Sequence, residues 1–440
     1  MLPVDIRALV PHPEGTAVWV IETDGGLALP SVTIDADGPN DDLAPKLAAL
    51  AKAHGIDSPF LRRVGLTKHD GRDLILKEFE PLPATGRRWL PLDELARLDL
   101  PEDLRPALAT WTAYQRGAEY PEFRPAWTRP GWHASTRRWL TDQLTRRDIE
   151  PVGEPTLVQQ WAISSVLKQP TREHGDHYLK SVFGSPGRAF WHEPALSATL
   201  AREHPGQVPA VTTIDSDRGL MLMPDMGITY VDEFPVERWD GGLRVLAEIQ
   251  RHWANRRDEL LALGCPDRDF ATTADQLAAA LADPLFADKL DPAVHKRVSE
   301  LMPRWRQLLL DATQWPVPLS LSHGDFHPGN VGLRADGSTC VFDWSDGAWS
   351  HPFLDVEVYV RNSGEAQTRL WDVYLDHWTD YAPLSELRQL IPSVNLLGLL
   401  YRTVTYHGLL TNVDPDDRFV FGEFAELHWT KSLEAWDAMA

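Results

Sequence analysis

The chain has 440 residues, 43% hydrophobic and 24% charged, the proportions of a soluble globular protein with room for two or three cores. Its formal charge of −21 argues against a nucleic-acid partner, which needs a basic footprint, and its two cysteines, Cys265 and Cys340, exclude a disulfide framework or a multi-cysteine zinc site. No basic segment leads into an apolar run at the N-terminus, and no stretch approaches the roughly 20 apolar residues that span a bilayer, so a cytoplasmic protein without a membrane partner is expected.

In chain order, TAVWVIET (16–23) reads as a strand closed by the turn Asp24-Gly25-Gly26, and LALPSVTI (27–34) resumes it. Residues 41–56 have Leu43, Leu47, Leu50 and Ala51 at helical spacing, with Gly55 as a stop. RDLILKEFEPL (72–82) is strand-like and PLDELARLDL (91–100) opens a short helix. Residues 1–116 are therefore expected to form a small α+β domain, followed by a proline-rich, aperiodic linker over 117–131. A helix is expected over 134–147. TLVQQWAISSVLKQ (156–169), DHYLKSVF (176–183) and GLMLMPDMG (219–227) are β-like, and EPALSATLAREH (193–204) is helical. From 229 to 440 the pattern is mostly helical, so a β-rich lobe (132–228) precedes a helical lobe (229–440).

The stretch LSHGDFHPGN (321–330) interrupts that lobe, followed by two short apolar runs, NVGLR and TCVFD, separated by the turn pair Asp336-Gly337. Folding this hairpin sets Asn330 and Asp343 opposite each other at its open end, with Asp325 on the loop before it. Three oxygen-bearing side chains on one spot suit a hard divalent cation together with a general base. A polar turn of chance spacing is the bland alternative. A zinc site on His323 and His327 is a poorer one, because Pro328 and Gly329 make the backbone irregular and no cysteine is near. REHGDH (172–177), between two strand-like runs, reads as a solvated turn.

The motif His-Gly-Asp-x-x-x-x-Asn followed by Phe-Asp-Trp resembles the catalytic and metal loops of the aminoglycoside phosphotransferase/choline kinase family, small-molecule kinases with a protein-kinase-like fold. The resemblance implies ATP and Mg²⁺ as cofactors and a small-molecule hydroxyl as acceptor. Asp325 resembles the base, Asn330 and Asp343 the Mg²⁺ ligands, His323 a loop-bracing residue, and Asp355 in HPFLDVE a support of the loop. Upstream, Lys180 resembles the phosphate-holding lysine and Glu193 its helix partner. The backbone around Met223 and Asp225 resembles the hinge that meets adenine. Asp346 and Trp349 are candidate substrate contacts, with Tyr401, Tyr406 and His407 more easily read as core.

Two departures stand out: Ser164 and Ser165 occupy the place of a glycine-rich phosphate loop, and Pro194 follows Glu193 directly. RWLPLDELARLDLPEDL (88–104) resembles the closing segment of Nudix domains. The positions of the Nudix box, Ala48 to Ile56, keep Leu50, Gly55 and Ile56 but hold no carboxylate. A Nudix-like scaffold without pyrophosphatase chemistry is the expectation for the first domain. An amino sugar, aminoglycoside or choline-like alcohol is the expected acceptor, with a catalytically inactive nucleotide-binding regulator as the alternative and a pyrophosphatase as a weaker one.

Overall fold

The computed structural model describes residues 2–36, 43–185, 188 and 190–439. They divide into one unit of residues 1–173 with 414–416, and a second of 174–413 with 417–440.

The first unit opens with β1 (Leu2–Leu9), β2 (Ala17–Thr23), β3 (Gly26–Ala28), β4 (Ser31–Ala36), α1 (Leu43–His54), β5 (Phe60–His69), β6 (Arg72–Phe79), β7 (Arg88–Pro91) and α2 (Arg105–Gln115). β4-β1-β6-β5 form one sheet, with β1 and β6 parallel, and β3-β2-β7 a second. LALPSVTI is thus two strands in two sheets, broken at Pro30, where proline cannot donate to a ladder. β6 is buried on both faces, so it reads as the continuous run Leu74-Ile75-Leu76. Ile75 packs with Val4, Ile6 and Leu50, and its two neighbours with Leu104, Leu108 and Trp111. β1, β5 and α2 escaped the sequence reading. β5 is masked by Arg62, Arg63 and Lys68, of which Arg62 is buried against Glu78 at 2.9 Å. Leu50 and Ile56 are core residues, and Gly55 takes φ +65°. No residue of α1 is acidic.

The segment 117–131 is irregular, yet Arg124, Trp127 and Thr128 are buried in it. α3 (Trp132–Thr145) and the hairpin of β8 (Thr156–Gln160) and β9 (Ser164–Gln169) complete this unit. Arg124 forms an ion pair with Asp414, both 1% exposed, and reaches Asp416, which also meets Arg62.

The second unit begins with β10 (His177–Val182), α4 (Glu193–Glu203), β11 (Thr213–Asp215), β12 (Leu220–Pro224) and β13 (Ile228–Tyr230), with β12 between β10 and β11. The helical part follows: α5 (Asp240–Trp253), α6 (Arg257–Ala262), α7 (Phe270–Ala282), α8 (Pro284–Ala287) and α9 (Pro292–Ala312). Asp269, Asp283 and Asp291 cap α7, α8 and α9, each accepting a backbone N–H from the first turn. β14 (Ser320–Ser322), β15 (Val331–Arg334), β16 (Thr339–Val341) and β17 (Ala348–Ser350) interrupt the helices. α10 (Val356–Val360), α11 (Gln367–Leu375), α12 (Leu384–Gln389), α13 (Ile391–Asn412) and α14 (Gly422–Met439) close the chain. Trp305 of α9 stacks on Trp429 of α14 with centroids 6.1 Å apart. The class is the expected α+β one, a small sheet leading into a helical lobe. No described helix is long and apolar enough to cross a membrane.

Truncating Arg124 to Ala leaves the Asp414 carboxylate buried without a counter-charge. We expect a loss of about 3–5 kcal/mol of stability, read as a lower denaturation midpoint. Arg124→Lys should recover only part of it, because a lysine cannot reach Asp414 and Asp416 with a fork.

Candidate active site

The loop after β14 is pinned at both ends. β14 pairs with β17, Leu321 opposite Trp349. Asp355, buried in the turn Pro352–Asp355 before α10, accepts four hydrogen bonds: the Ser322 hydroxyl at 2.7 Å, the His323 N–H at 2.7 Å, the Gly324 N–H at 2.9 Å and the Gln250 amide at 2.7 Å. Burial alone pushes this carboxyl upward, and His323 and these donors oppose it. Gly324 takes φ +80°, where a Cβ would fall 2.4 Å from the Asp346 carbonyl oxygen, so the loop can pass here only as glycine. His323 Nε2 is 2.9 Å from the Phe342 carbonyl and donates to it, while burial depresses the ring's pKa. The imidazole therefore ties the loop to the hairpin as a neutral ring.

The loop ends in a turn over Pro328–Asn330, capped by His327 Nδ1, which accepts the Gly329 N–H at 3.1 Å. Asn330 donates its side-chain N–H to the Asp325 carbonyl at 2.9 Å, so its amide oxygen is the donor left for a cation. The β15–β16 register and the Phe342 N–H bond to the Asn330 carbonyl at 3.0 Å bring Asp343 beside it. Asp343 is left-handed, φ 63° and ψ 63°. Asp343 and Asn330 offer oxygen alone, the donor set that fits Mg²⁺.

Lys180 of β10 joins the two halves of this unit: Nζ is 2.7 Å from Glu193 Oε1 and 2.8 Å from Asp343 Oδ1. Pro194 does not prevent the pair, because it sits in the first turn of α4, where a missing N–H breaks no helical bond. Burial would discharge the lysine, but Asp343 and Glu193 outweigh it and hold the ammonium above its ordinary range. Asp343 is drawn down to about 2 by Lys180 against the cost of burial, and burial pushes Glu193 up to about 7.

Asp325 sits across the loop, its Oδ1 3.0 Å from Arg402 Nη2 and its Oδ2 3.7 Å from His327 Nε2. Burial and the charge of Asp325 push Asp346 up to about 7, opposed by Arg268 and Arg402. Trp349 is buried on β17. Met223 pairs with Tyr178 in the β10–β12 ladder. The Asp225 N–H is spent on the Asp176 carbonyl at 2.9 Å, and its carboxylate on the Gly227 N–H at 2.9 Å, so neither waits for a base. Ser164 and Ser165 lie on β9 in the first unit. Ser164 accepts the Trp161 indole N–H at 2.7 Å, and Ser165 is fully buried, 3.4 Å from Gln160 Oε1. Tyr401 is buried with Arg268 over its ring, Tyr406 stacks on Phe424, and His407 binds Asp283 at 2.8 Å. The turn at 172–177 carries an Arg172–Glu150 pair, and His323 Nε2 and His327 Nδ1 face backbone partners rather than each other.

Two residues went unread in the sequence. Arg402 is a lone charge in the apolar run 395–410, and Gln250 is a lone amide on the buried stripe Leu243-Leu246-Trp253 of α5. A charge or amide at a core position was the available signal in both.

Residues 192–387 match the phosphotransferase enzyme family. The match spans less than half of the chain. The chain is similar in fold to macrolide 2'-phosphotransferase type I (16% identity, TM-score 0.47, covering 67% of this chain and 97% of that one). It is also similar to choline kinase LicA from Streptococcus pneumoniae (14%, 0.48, 68% and 99%) and to APH(2")-IIia in its GDP and kanamycin complex (18%, 0.49, 68% and 99%). Among curated proteins no sequence match was found. The resemblance read from the loop and its hairpin is thus borne out for the phosphotransferase domain, whose match begins after the first unit.

Replacing Lys180 with Met leaves Glu193 facing Asp343 without the shared cation. Burial and like charge then raise the folded-state pKa of Glu193 further above its unfolded value. Such a group stabilises the fold at low pH and loses that contribution as pH rises. Thermal melts of Lys180→Met from pH 5 to pH 8 should fall more steeply than those of the wild type; parallel curves would show that the cation does not matter here.

Proposed function

We propose that this protein is an ATP- and Mg²⁺-dependent kinase for a hydroxyl of a small molecule. The observation that carries the reading is the Glu193–Lys180–Asp343 chain meeting the Asp325–Asn330 loop. Asn330 and Asp343 would hold Mg²⁺, which when bound neutralises phosphate charge. Lys180, kept cationic and fixed by Glu193, would position the phosphates of the nucleotide. Asp325 would receive the acceptor hydroxyl on its carboxylate and set it in line, while Asp355 and His323 keep the loop in shape. Catalysis of this kind is mostly positioning and charge stabilisation.

The inactive-regulator alternative is disfavoured because the lysine, its glutamate and all three loop residues are present and mutually arranged. For the acceptor, Asp346 supports an amino-bearing alcohol such as an amino sugar, an aminoglycoside or a choline-like compound. Arg402, 3.0 Å from Asp325, favours a second acceptor class, a hydroxy acid whose carboxylate would take the guanidinium.

An ADP-release assay over amino sugars, choline-like alcohols, neutral sugars and hydroxy acids separates these classes. Asp325→Asn should lower transfer by roughly 10²–10⁴-fold while nucleotide binding survives; full activity in that variant would sink the reading. For an amino acceptor, Asp346→Asn should raise KM and leave neutral acceptors untouched. For a hydroxy acid, Arg402→Gln should do so instead.

A further inference from the structure

At the opposite end of α4 from Glu193, about 15 Å along the helix, stands a second cluster of ligating groups. Glu203 ends α4 and His204 follows it; His252 lies in the last turn of α5. One ligand atom from each lies within 4.8 Å of the others. His252 Nε2 and Glu203 Oε2 are 3.0 Å apart, and the His204 and His252 rings meet edge to face at 4.8 Å. His204 is 8% exposed, and its Nε2 has no hydrogen-bond partner among the described residues.

We propose that Glu203, His204 and His252 form a binding site for a first-row transition-metal dication such as Zn²⁺, fastening the C-terminal end of α4 to α5. Two imidazoles and a carboxylate are a borderline donor set, which favours such ions over Mg²⁺. Donors around a tetrahedral ion with bonds of 2.0–2.1 Å stand about 3.3 Å apart. The Glu203–His252 pair already has nearly that separation, and His204 offers a ligand atom within 4.8 Å of both.

Arg256 holds Glu203 Oε2 at 3.0 Å, and it does not block the site. It also lies 3.5 Å from Glu203 Oε1 and is bound through Nε and Nη2 to Glu259 at 2.9 and 2.7 Å, so it keeps a counter-charge when Glu203 turns to a cation. Gln207, three residues after His204, is held by Glu248, one turn before His252 on α5, so a second pair of side chains also links the two helices. Three protein ligands leave a further position for water.

The proposal does not depend on the kinase reading. The full chain is stripped with a chelator, then titrated with Zn²⁺ against a chromophoric chelator and with Co²⁺ followed by visible absorption. We expect saturable binding of a single ion with ligand-field bands of low coordination number. His252→Gln, a change at a half-exposed position that the fold should absorb, is expected to weaken Zn²⁺ binding by more than the ~10–100-fold that outer-shell changes cost. His204→Gln should do the same, and Asp343→Asn should leave Zn²⁺ binding unchanged. Absence of binding by the wild type, or equal affinity in His252→Gln, overturns the site. So does an ion lost from Asp343→Asn and kept by His252→Gln, which would belong to the Asp343 site.

Discussion

One buried carboxylate organises this active site. Asp355 costs free energy to bury, and four donors from two separate segments repay it: the end of β14 and the loop that follows it through Ser322, His323 and Gly324, and α5 through Gln250. Gln250 is itself fixed by the Tyr374 hydroxyl on its other side and gives a second bond to the Pro352 carbonyl. An acceptor so fully satisfied allows the loop one arrangement. The backbone N–H groups of His323 and Gly324 point at Asp355, so the chain must turn outward at Asp325. The position of the candidate base thus follows from a residue that never meets the substrate.

Lys180 plays the corresponding part on the other side of Asp343. Its two carboxylate partners come from α4 and from the end of the β15–β16 hairpin, elements remote in sequence, and a single ammonium joins them. Any shift of α4 would strain the Glu193 contact and free Lys180 to move wholly to Asp343. The far end of α4 carries its own polar network around Glu203, with Arg256 and His252 reaching across from the α5–α6 region. The helix is therefore held at both ends by charge and in the middle by the buried Leu196 and Leu200.

The loop, the hairpin and the upstream lysine and glutamate were legible because they are local: spacing within ten residues, a two-residue turn, a charge in an apolar strand. Lys180–Glu193 was the harder inference, since Pro194 looked like an obstacle until its place in the first turn was fixed. What stayed hidden depends on tertiary contacts. The Asp225 N–H and the Ser164 hydroxyl look available in the sequence and are consumed by Asp176 and Trp161 in the fold. Arg402 lies 77 residues beyond Asp325, and no local pattern ties the two. In the first unit, β1 and β5 were obscured for another reason. β5 buries a charged residue, Arg62, that only a partner on the next strand makes tolerable.

The Arg402 contact bears on what Asp325 does. On the proposed reading, a carboxylate with one oxygen engaged by a guanidinium would keep its second oxygen for the acceptor, and here that oxygen lies 3.7 Å from His327 Nε2. This arrangement orients a hydroxyl more than it strips a proton from it. That is sufficient for phosphoryl transfer through a loose transition state, in which the nucleophile's proton needs little help before the phosphoryl group has moved. The same guanidinium sets a sign preference. Under the proposed kinase reading, an ammonium near Asp325 would meet a cation already bound, which the Asp346 carboxylate would offset. A carboxylate on the acceptor instead meets a partner that can swing from Asp325 and release it. On the proposed reading, acceptor choice would then turn on the balance between Asp346 and Arg402.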